Sequence, residues 1–257
     1  MPGYDEIFEM GAKKLRLMSK VRLIEGVHWV ADLQGDTFVM EHLPYEKAHE
    51  PIFLHYLCHA KILEEGWVLP AVTPQIGGKL SALKKMERGE RDARVGAWVI
   101  RSLDSFFDFF AWGLVGSEFG KGYLEEFISG VLEVDDKGIV AWFKRTSEWS
   151  GFRLMNYLTC VDWFAMFGEL TASIDPGVEA RLSEKFSSLC AQDGFFDAVE
   201  PVVEERVPEL RMFYRKLRKK YPSYLELLQE GGALERHYAE YSKILWAGTG
   251  LDLILEF

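Results

Sequence analysis

The chain has 257 residues, 48% of them hydrophobic, and a formal net charge of −10. This length fits one large domain or two small ones, and the apolar content is enough for a substantial core, which excludes a disordered chain. The acidic charge argues against nucleic acid and anionic membrane surfaces as partners, because both require a basic footprint.

The first segments change their hydrophobic period near residue 20. Residues 4–20 place apolar groups at helical spacing, whereas residues 21–43 largely alternate apolar and polar groups around a turn at Gln34-Gly35-Asp36. Alternation is typical of half-buried strands. The sequence therefore predicts a helix followed by a β-hairpin or a small meander.

A second helix is predicted from about His49 to Glu65. Pro51 suits its first turn and Gly66 its end. Within it, His55 and His59 are four residues apart, so a helix places both imidazoles on one face, one turn apart. The loop that follows contains Pro70, Pro74, Gly77 and Gly78, and it is predicted either to border a cleft or to be a plain connector.

From Lys79 onward the pattern is almost wholly helical, and no strand–helix alternation predicts a parallel α/β sheet. The predicted helices are 79–88, 90–115, 121–133, 139–149, 151–170, 177–192, 208–220, 223–230 and 233–247.

The helix predicted at 90–115 is apolar nearly all round, which is typical of a buried helix. Asp104 and Asp108 lie one turn apart on a single face of it. A buried carboxylate needs a cation or good donors. A metal ion held by His55 and His59 meets that need, and Arg101 is the competing partner.

These residues predict a site for one divalent metal ion, Zn²⁺ or another. Two histidines and a carboxylate are a common ligand set for catalytic zinc. His55 and His59 are the predicted nitrogen ligands and Asp104 the carboxylate, with Asp108 as the alternate ligand or as an acceptor for a histidine N–H. Cys58, within a turn of His55, is either a soft ligand or a small core residue.

The stretch from His49 to Trp67 resembles the active-site helix of minimal zincins, which are small HExxH metallopeptidase-like proteins. The resemblance covers about residues 20–115. It implies a small sheet before the helix, two histidine ligands and an acidic third ligand on a later helix, for which Asp104 and Asp108 are the matching positions.

Tyr56 departs from that pattern. In the family the residue after the first histidine is the glutamate that acts as general base, so Tyr56 takes the catalytic position here. Tyrosine has an ordinary pKa near ~10 and is a poor base at neutral pH. Glu46, Glu50 and Glu64 are nearby, but none has the usual spacing from His55. The resemblance thus supports the fold and the metal more than proteolysis.

The expected fold class is α+β, with a zincin-like core over 1–115 and a helical region over 116–257 packed on it as one unit. The expected function is a metal-dependent, peptidase-like hydrolase, active or degenerate, with a peptide or protein as substrate or partner. The alternative is a non-catalytic binding or regulatory protein on the same scaffold. Metal content discriminates between the two only in part, and hydrolysis of a denatured protein or a peptide library discriminates better.

The cysteines and the amino terminus bear on location. Cys58, Cys160 and Cys190 are odd in number and widely spaced, so a disulfide framework is not expected. The first residues are acidic and contain no apolar signal region, and no apolar run is long enough to span a bilayer. A reducing cytoplasm is the expected location.

Overall fold

The computed structural model of the chain describes residues 3–27, 29–76, 104–134, 150–172, 176–190, 206–247 and 251–257. This part is mostly helical, with five short strands. The strands are β1 (Lys20–Glu25), β2 (Val30–Gln34), β3 (Thr37–His42), β4 (Ala71–Ile76) and β5 (Leu251–Glu256).

The helices are numbered in chain order. They are α1 (Tyr4–Leu15), α2 (Glu50–Glu64), α3 (104–114), α4 (Lys121–Glu133), α5 (Ser150–Thr171), α6 (Pro176–Cys190), α7 (Arg206–Lys220), α8 (Tyr224–Gln229) and α9 (Ala233–Trp246). A 3-10 turn at Lys47–His49 precedes α2, and α3 continues into a π-helical turn at Val115–Phe119.

The chain divides into two compact units. The first contains Met1–Val68, Phe110–Val131 and Ser223–Leu225, and the second contains Leu69–Phe109, Leu132–Pro222 and Glu226–Phe257. The division predicted at residue 115, with its single packed unit, stays a prediction.

The first unit contains a three-stranded sheet in the order β1-β3-β2. β2 and β3 form the predicted hairpin, with Gln34 opposite Thr37 and Gly35 at a φ of +65°, a backbone conformation that favours glycine. β1 lies on the other side of β3 and runs parallel to it, with Lys20 opposite Thr37. Strands form where the sequence predicts them. Of the two predicted arrangements the hairpin is confirmed and the meander is wrong, because β3 lies between β1 and β2.

Helix α2 packs against α1, the turn at Val115–Phe119 and β3. Pro51 lies in its first turn, where the missing N–H has no partner to lose. Gly66 ends it with a φ of +101°, and the N–H of Trp67 donates to the carbonyl of Ile62 at 3.2 Å. The predicted bounds of 49–65 thus agree with the structure.

The second unit is built on helices α5, α6, α7 and α9, together with the antiparallel pair β4 and β5. Its core has aromatic residues at its centre. Phe106 packs on Phe213, Tyr238 and Tyr241, and Phe109 stacks on Tyr214 at a centroid distance of 4.7 Å.

One carboxyl group lies inside that core. Asp162 of α5 has no exposed surface, and its Oδ1 accepts a hydrogen bond from the hydroxyl of Tyr214 at 2.7 Å. Burial raises the pKa of Asp162 to about 7, although the hydroxyls of Tyr214, Ser105 and Tyr241 lower it by hydrogen bonding. Fixed hydroxyl groups therefore offset part of the cost of burying this acid.

The predicted helices over 121–133, 151–170, 177–192, 208–220, 223–230 and 233–247 are confirmed to within about two residues. Those at 79–88 and 139–149, and residues 90–103 of the helix at 90–115, lie outside the described residues. The connector reading of 70–78 is wrong for 71–76, which form β4. Among the described residues, no helix is both long enough and apolar enough to cross a membrane.

Candidate metal centre

Helix α2 carries both histidines on one face. The imidazole centroids of His55 and His59 are 4.3 Å apart, as expected for positions one turn apart. The side chain of His55 is buried and that of His59 is half-buried. A pair of imidazoles thus lies at the edge of the core, with His59 partly open to solvent.

Trp112 fixes the plane of the His55 ring. The two rings stack at a centroid distance of 4.2 Å and an interplanar angle of 16°. Phe127 of α4 also stacks on Trp112, at a centroid distance of 4.3 Å. Sequence patterns do not single out Trp112, since an aromatic residue at helical spacing is more often a core residue.

Asp108 completes a group of three possible ligands. It shares helix α3 with Trp112 and precedes it by four residues, so the helix itself brings its carboxylate to the Trp112 side. One ligand atom each from His55, His59 and Asp108 all lie within 4.8 Å of one another. In the part of the chain that the structure describes, this is the group of His, Cys, Asp and Glu side chains that can hold a metal ion.

Asp104 lies one turn further from Trp112 and is not in that group. Both aspartates are half-buried rather than fully buried as expected from the apolar helix. Arg101, the predicted competing partner, lies outside the described residues. That any of these side chains ligates a metal stays a prediction.

Two nitrogen atoms and one carboxylate oxygen suit zinc and similar divalent ions, with a fourth position left for a small ligand. Zinc bonds of about 2.0–2.1 Å place tetrahedral ligand atoms about 3.3 Å apart. The three side chains would therefore have to close by no more than about 1.5 Å from their present separation.

Tyr56 is held by the segment before β2. Its ring stacks on Trp29 at 5.8 Å and 5°, and its hydroxyl lies 3.5 Å from the Trp29 carbonyl oxygen, at the long limit of a hydrogen bond. The ring also meets His55 and His59 edge-on, at 5.8 and 5.5 Å. Tyr56 thus forms an aromatic wall beside the imidazoles.

Two of the three glutamates that could replace the missing general base, Glu64 and Glu50, already accept hydrogen bonds from other groups. Glu64 accepts hydrogen bonds from the backbone of Met18 and Ser19, and Glu50 accepts one from the hydroxyl of Tyr45. Cys58 has no exposed surface, and burial raises the pKa of its thiol well above the ordinary value. A neutral buried thiol fits the core reading of Cys58 better than the ligand reading.

No protein-family model, no curated protein and no solved structure matches the chain.

Proposed function

We propose that this protein binds one divalent metal ion, Zn²⁺ or a similar ion, through His55, His59 and Asp108. The observation that carries the proposal is the convergence of three ligand atoms within 4.8 Å, two from α2 and one from α3. The stacking of Trp112 on His55 supports it, because a ring held in one plane loses less freedom when it ligates.

We further propose a zincin-like core and a peptidase-like site. A small sheet precedes the histidine helix, and the acidic residue comes from a later helix, in the order that the resemblance implies. When bound, the ion would supply Lewis-acid polarisation of a substrate carbonyl. His55, His59 and Asp108 would hold it, and Tyr56 would shape one wall.

In this proposal hydrolysis is slow, because no carboxylate occupies the position of the base. A positioned general base contributes typically ~10²–10⁴-fold to such a reaction. The contacts of Tyr56 with Trp29 favour the second candidate, a non-catalytic binding protein, since they hold the side chain as a packed wall rather than a free base. Metal binding is common to both candidates.

The test compares the two aspartates of α3. Elemental analysis of the purified parent should find about one equivalent of metal for a single three-ligand site. Asp108→Asn should weaken zinc binding by more than about 100-fold, because even loss of a partner outside the ligand set costs ~10–100-fold. Asp104→Asn is the matched control and should leave the affinity nearly unchanged.

The His55→Ala/His59→Ala variant should bind no zinc by the same titration, with helix content checked by circular dichroism. Equal metal in this variant and in the parent would refute the site. An equal loss of zinc affinity in the Asp104→Asn and Asp108→Asn variants would refute the choice of Asp108 as the third ligand.

A further inference from the structure

A second set of side chains with binding chemistry lies at the start of α2, within the first unit. Tyr4 is surrounded by other aromatic rings: its ring stacks on Phe53 at 4.4 Å and meets Tyr45 and Trp29 edge-on at 5.1 and 6.0 Å. His49 meets Trp29 at 5.9 Å. Tyr45, Trp29 and His49 are only half-buried, so this cluster has faces and edges open to solvent.

Carboxylates line the same place. Glu50 accepts a hydrogen bond from the Tyr45 hydroxyl at 2.7 Å. That bond, burial and the negative charges of Glu50 and Glu6 raise the pKa of Tyr45. On the other side, burial and the charges of Glu50 and Glu126 raise the pKa of Tyr123. Three carboxylates, Glu6, Glu50 and Glu126, therefore lie near enough to these two tyrosines to raise their pKa values.

The basic side chains of the described residues do not neutralise these charges. Among the described residues, no lysine or arginine lies within ion-pair distance of Glu6, Glu46, Glu50 or Glu126; Glu46 has only His49, whose Nε2 is 3.9 Å from its Oε2. An uncompensated group of carboxylates at an aromatic surface attracts a cation.

An independent observation concerns the Tyr4 hydroxyl. Tyr4 is 6% exposed, and its Oη makes no hydrogen bond of normal geometry within the described residues. Burial and the charges of Tyr45, Glu46 and Glu50 raise the pKa of Tyr4 to about 12, although the backbone N–H of Glu46 lies close enough to the hydroxyl oxygen to lower it in part. The hydroxyl is therefore near enough to the carboxylates of Glu46 and Glu50 to feel their charge. A buried hydroxyl that makes no hydrogen bond of normal geometry costs up to about 1–3 kcal/mol, so a bound donor or acceptor at this position would be favourable.

We propose that this cluster, formed by Tyr4, Trp29, Tyr45, His49 and Glu50, is a binding site for an organic cation that carries N–H groups, a primary ammonium or a guanidinium. The ring faces attract the positive charge, the Glu50 carboxylate pairs with it, and the Tyr4 hydroxyl accepts one of its hydrogen bonds.

The chemistry of the cluster favours this class over other cations. A quaternary ammonium has no N–H to donate to the Tyr4 and Glu50 oxygens. A metal ion needs convergent ligand atoms, and the acidic side chains of this cluster form no such group in the described chain. The cation can come from a basic side chain of a peptide or from a free amine, and both sources present the same group.

The cluster shares no residue with the candidate metal centre, so its binding is measured on the full chain in EDTA. Isothermal titration calorimetry with n-butylammonium should show saturable binding, with a dissociation constant on the order of a millimolar or below. An acetylated and amidated Gly-Lys-Gly peptide should bind more tightly than n-butylammonium if peptides are the source, and no better if free amines are. Tetramethylammonium should bind at least about tenfold more weakly than n-butylammonium.

Two variants within the cluster and one control variant outside it locate the binding site. Glu50→Gln keeps an oxygen for the Tyr45 hydroxyl and removes the charge, and it should weaken n-butylammonium binding about tenfold or more. Glu235→Gln, an exposed position on α9, makes the same change in net charge and should have no effect. Tyr4→Phe should weaken binding without lowering the melting temperature, since the hydroxyl that it removes makes no hydrogen bond of normal geometry within the described residues.

The proposal is overturned if n-butylammonium does not bind saturably, if tetramethylammonium binds as tightly, or if Glu50→Gln and Glu235→Gln behave alike. It is also overturned if Tyr4→Phe lowers the melting temperature and leaves the affinity unchanged, because the hydroxyl would then have a structural role.

Discussion

At the scale of single residues, helical spacing places two aspartates on one face of α3. Spacing alone cannot choose which of them is the third ligand. Asp104 and Asp108 share a helix face, so both satisfy the pattern that favours a third ligand. The choice depends on which turn of α3 faces the histidines, and the structure groups Asp108, one turn from the Trp112 that stacks on His55, with the two imidazoles. That contact joins segments far apart in sequence, and no local pattern contains it.

The substitution Tyr56→Glu tests the missing base. It places a carboxylate at the position of the general base in the minimal zincins, which the histidine helix resembles. The rate of peptide hydrolysis should therefore rise by up to ~10²–10⁴-fold over the parent. The variant loses the stack on Trp29, which should cost about 0.5–1.5 kcal/mol of stability. A peptide library assayed with zinc and with EDTA measures the change.

Tyr56→Gln is the matched control, since glutamine is similar in size to glutamate and cannot act as a base. If both variants remain at background while zinc still binds, the non-catalytic binding protein is the better description. A parent that cleaves peptides well would contradict the assignment of Tyr56 as an inert wall.

At the scale of elements, helix packing near the histidines depends on one glycine. Gly11 of α1 is buried, and a Cβ built on it would lie 2.6 Å from Cδ1 of Leu57 on α2. Leu57 has no exposed surface, so its side chain has little room to move. Glycine at this position permits the close approach of α1 and α2.

Gly11→Ala should therefore destabilise the protein. The gain in helix propensity is about 1 kcal/mol, whereas overpacking a filled core costs typically about 1–3 kcal/mol, so the net change should be a loss of up to about 2 kcal/mol. Gly130→Ala on α4 is the control, since a Cβ there meets nothing within 4 Å, and it should gain about 0.5–1 kcal/mol. Urea unfolding measures both, and a stabilising Gly11→Ala would contradict the packing argument.

Glu64 ties the end of α2 to the segment before β1. Its carboxylate accepts hydrogen bonds from the backbone N–H groups of Met18 at 2.9 Å and Ser19 at 2.7 Å, and from Lys61 at 2.8 Å. Burial alone would raise the pKa of Glu64, but the bonds from Lys61, Ser19 and Met18 outweigh it and lower the pKa. Its contribution to stability is thus present above the unfolded-state pKa of about 4.5 and is lost as the pH falls.

Glu64→Gln should lower the free energy of unfolding by about 1–2 kcal/mol at pH 7, and the difference from the parent should shrink below pH 4.5. Glu65→Gln changes a neighbouring, more exposed carboxylate and should have little effect at either pH. Chemical unfolding at several pH values measures the difference; a gap that widens in acid would show that the sign is wrong.

At the scale of the whole molecule, local patterns predicted the described helices and the hairpin of β2 and β3, but not the other strand pairings. Pro51, Gly66 and the apolar period are local signals, and α2 has the predicted bounds. The parallel pairing of β1 with β3 and the pairing of β4 with β5 leave no such signal, because partners are chosen by the tertiary structure. Pro74 made β4 resemble a connector, since proline cannot donate to a sheet.

The core of the second unit should make stability depend on pH through Asp162. Its folded-state pKa of about 7 exceeds its ordinary value of 3.8, so the folded protein retains a proton that the unfolded chain releases. Stability should fall as the pH rises from about 4 to about 7 and then level off, a loss on the order of ~4 kcal/mol at about 1.4 kcal/mol per unit.

Asp162→Asn removes that slope, because asparagine stays neutral and its oxygen can still accept from Tyr214. The variant should be more stable than the parent at pH 8 and no more stable at pH 4, by thermal unfolding at each pH. Asp36→Asn, at an exposed position, should retain the slope. A parent whose stability is flat between pH 4 and pH 7 would contradict the prediction.

The pairing of β4 with β5 sets the order in which the chain can fold as it is made. Ile76 pairs with Leu251 and Ala71 with Glu256, so β4 leaves the ribosome long before its partner exists. At a synthesis rate of about 5–20 residues per second, the wait is roughly 10–40 s. The unpaired backbone N–H and C=O groups of such a strand can hydrogen-bond to other nascent chains. Pro74 lacks the N–H that such a pairing would use, so it should reduce the association of β4 with other chains during that interval.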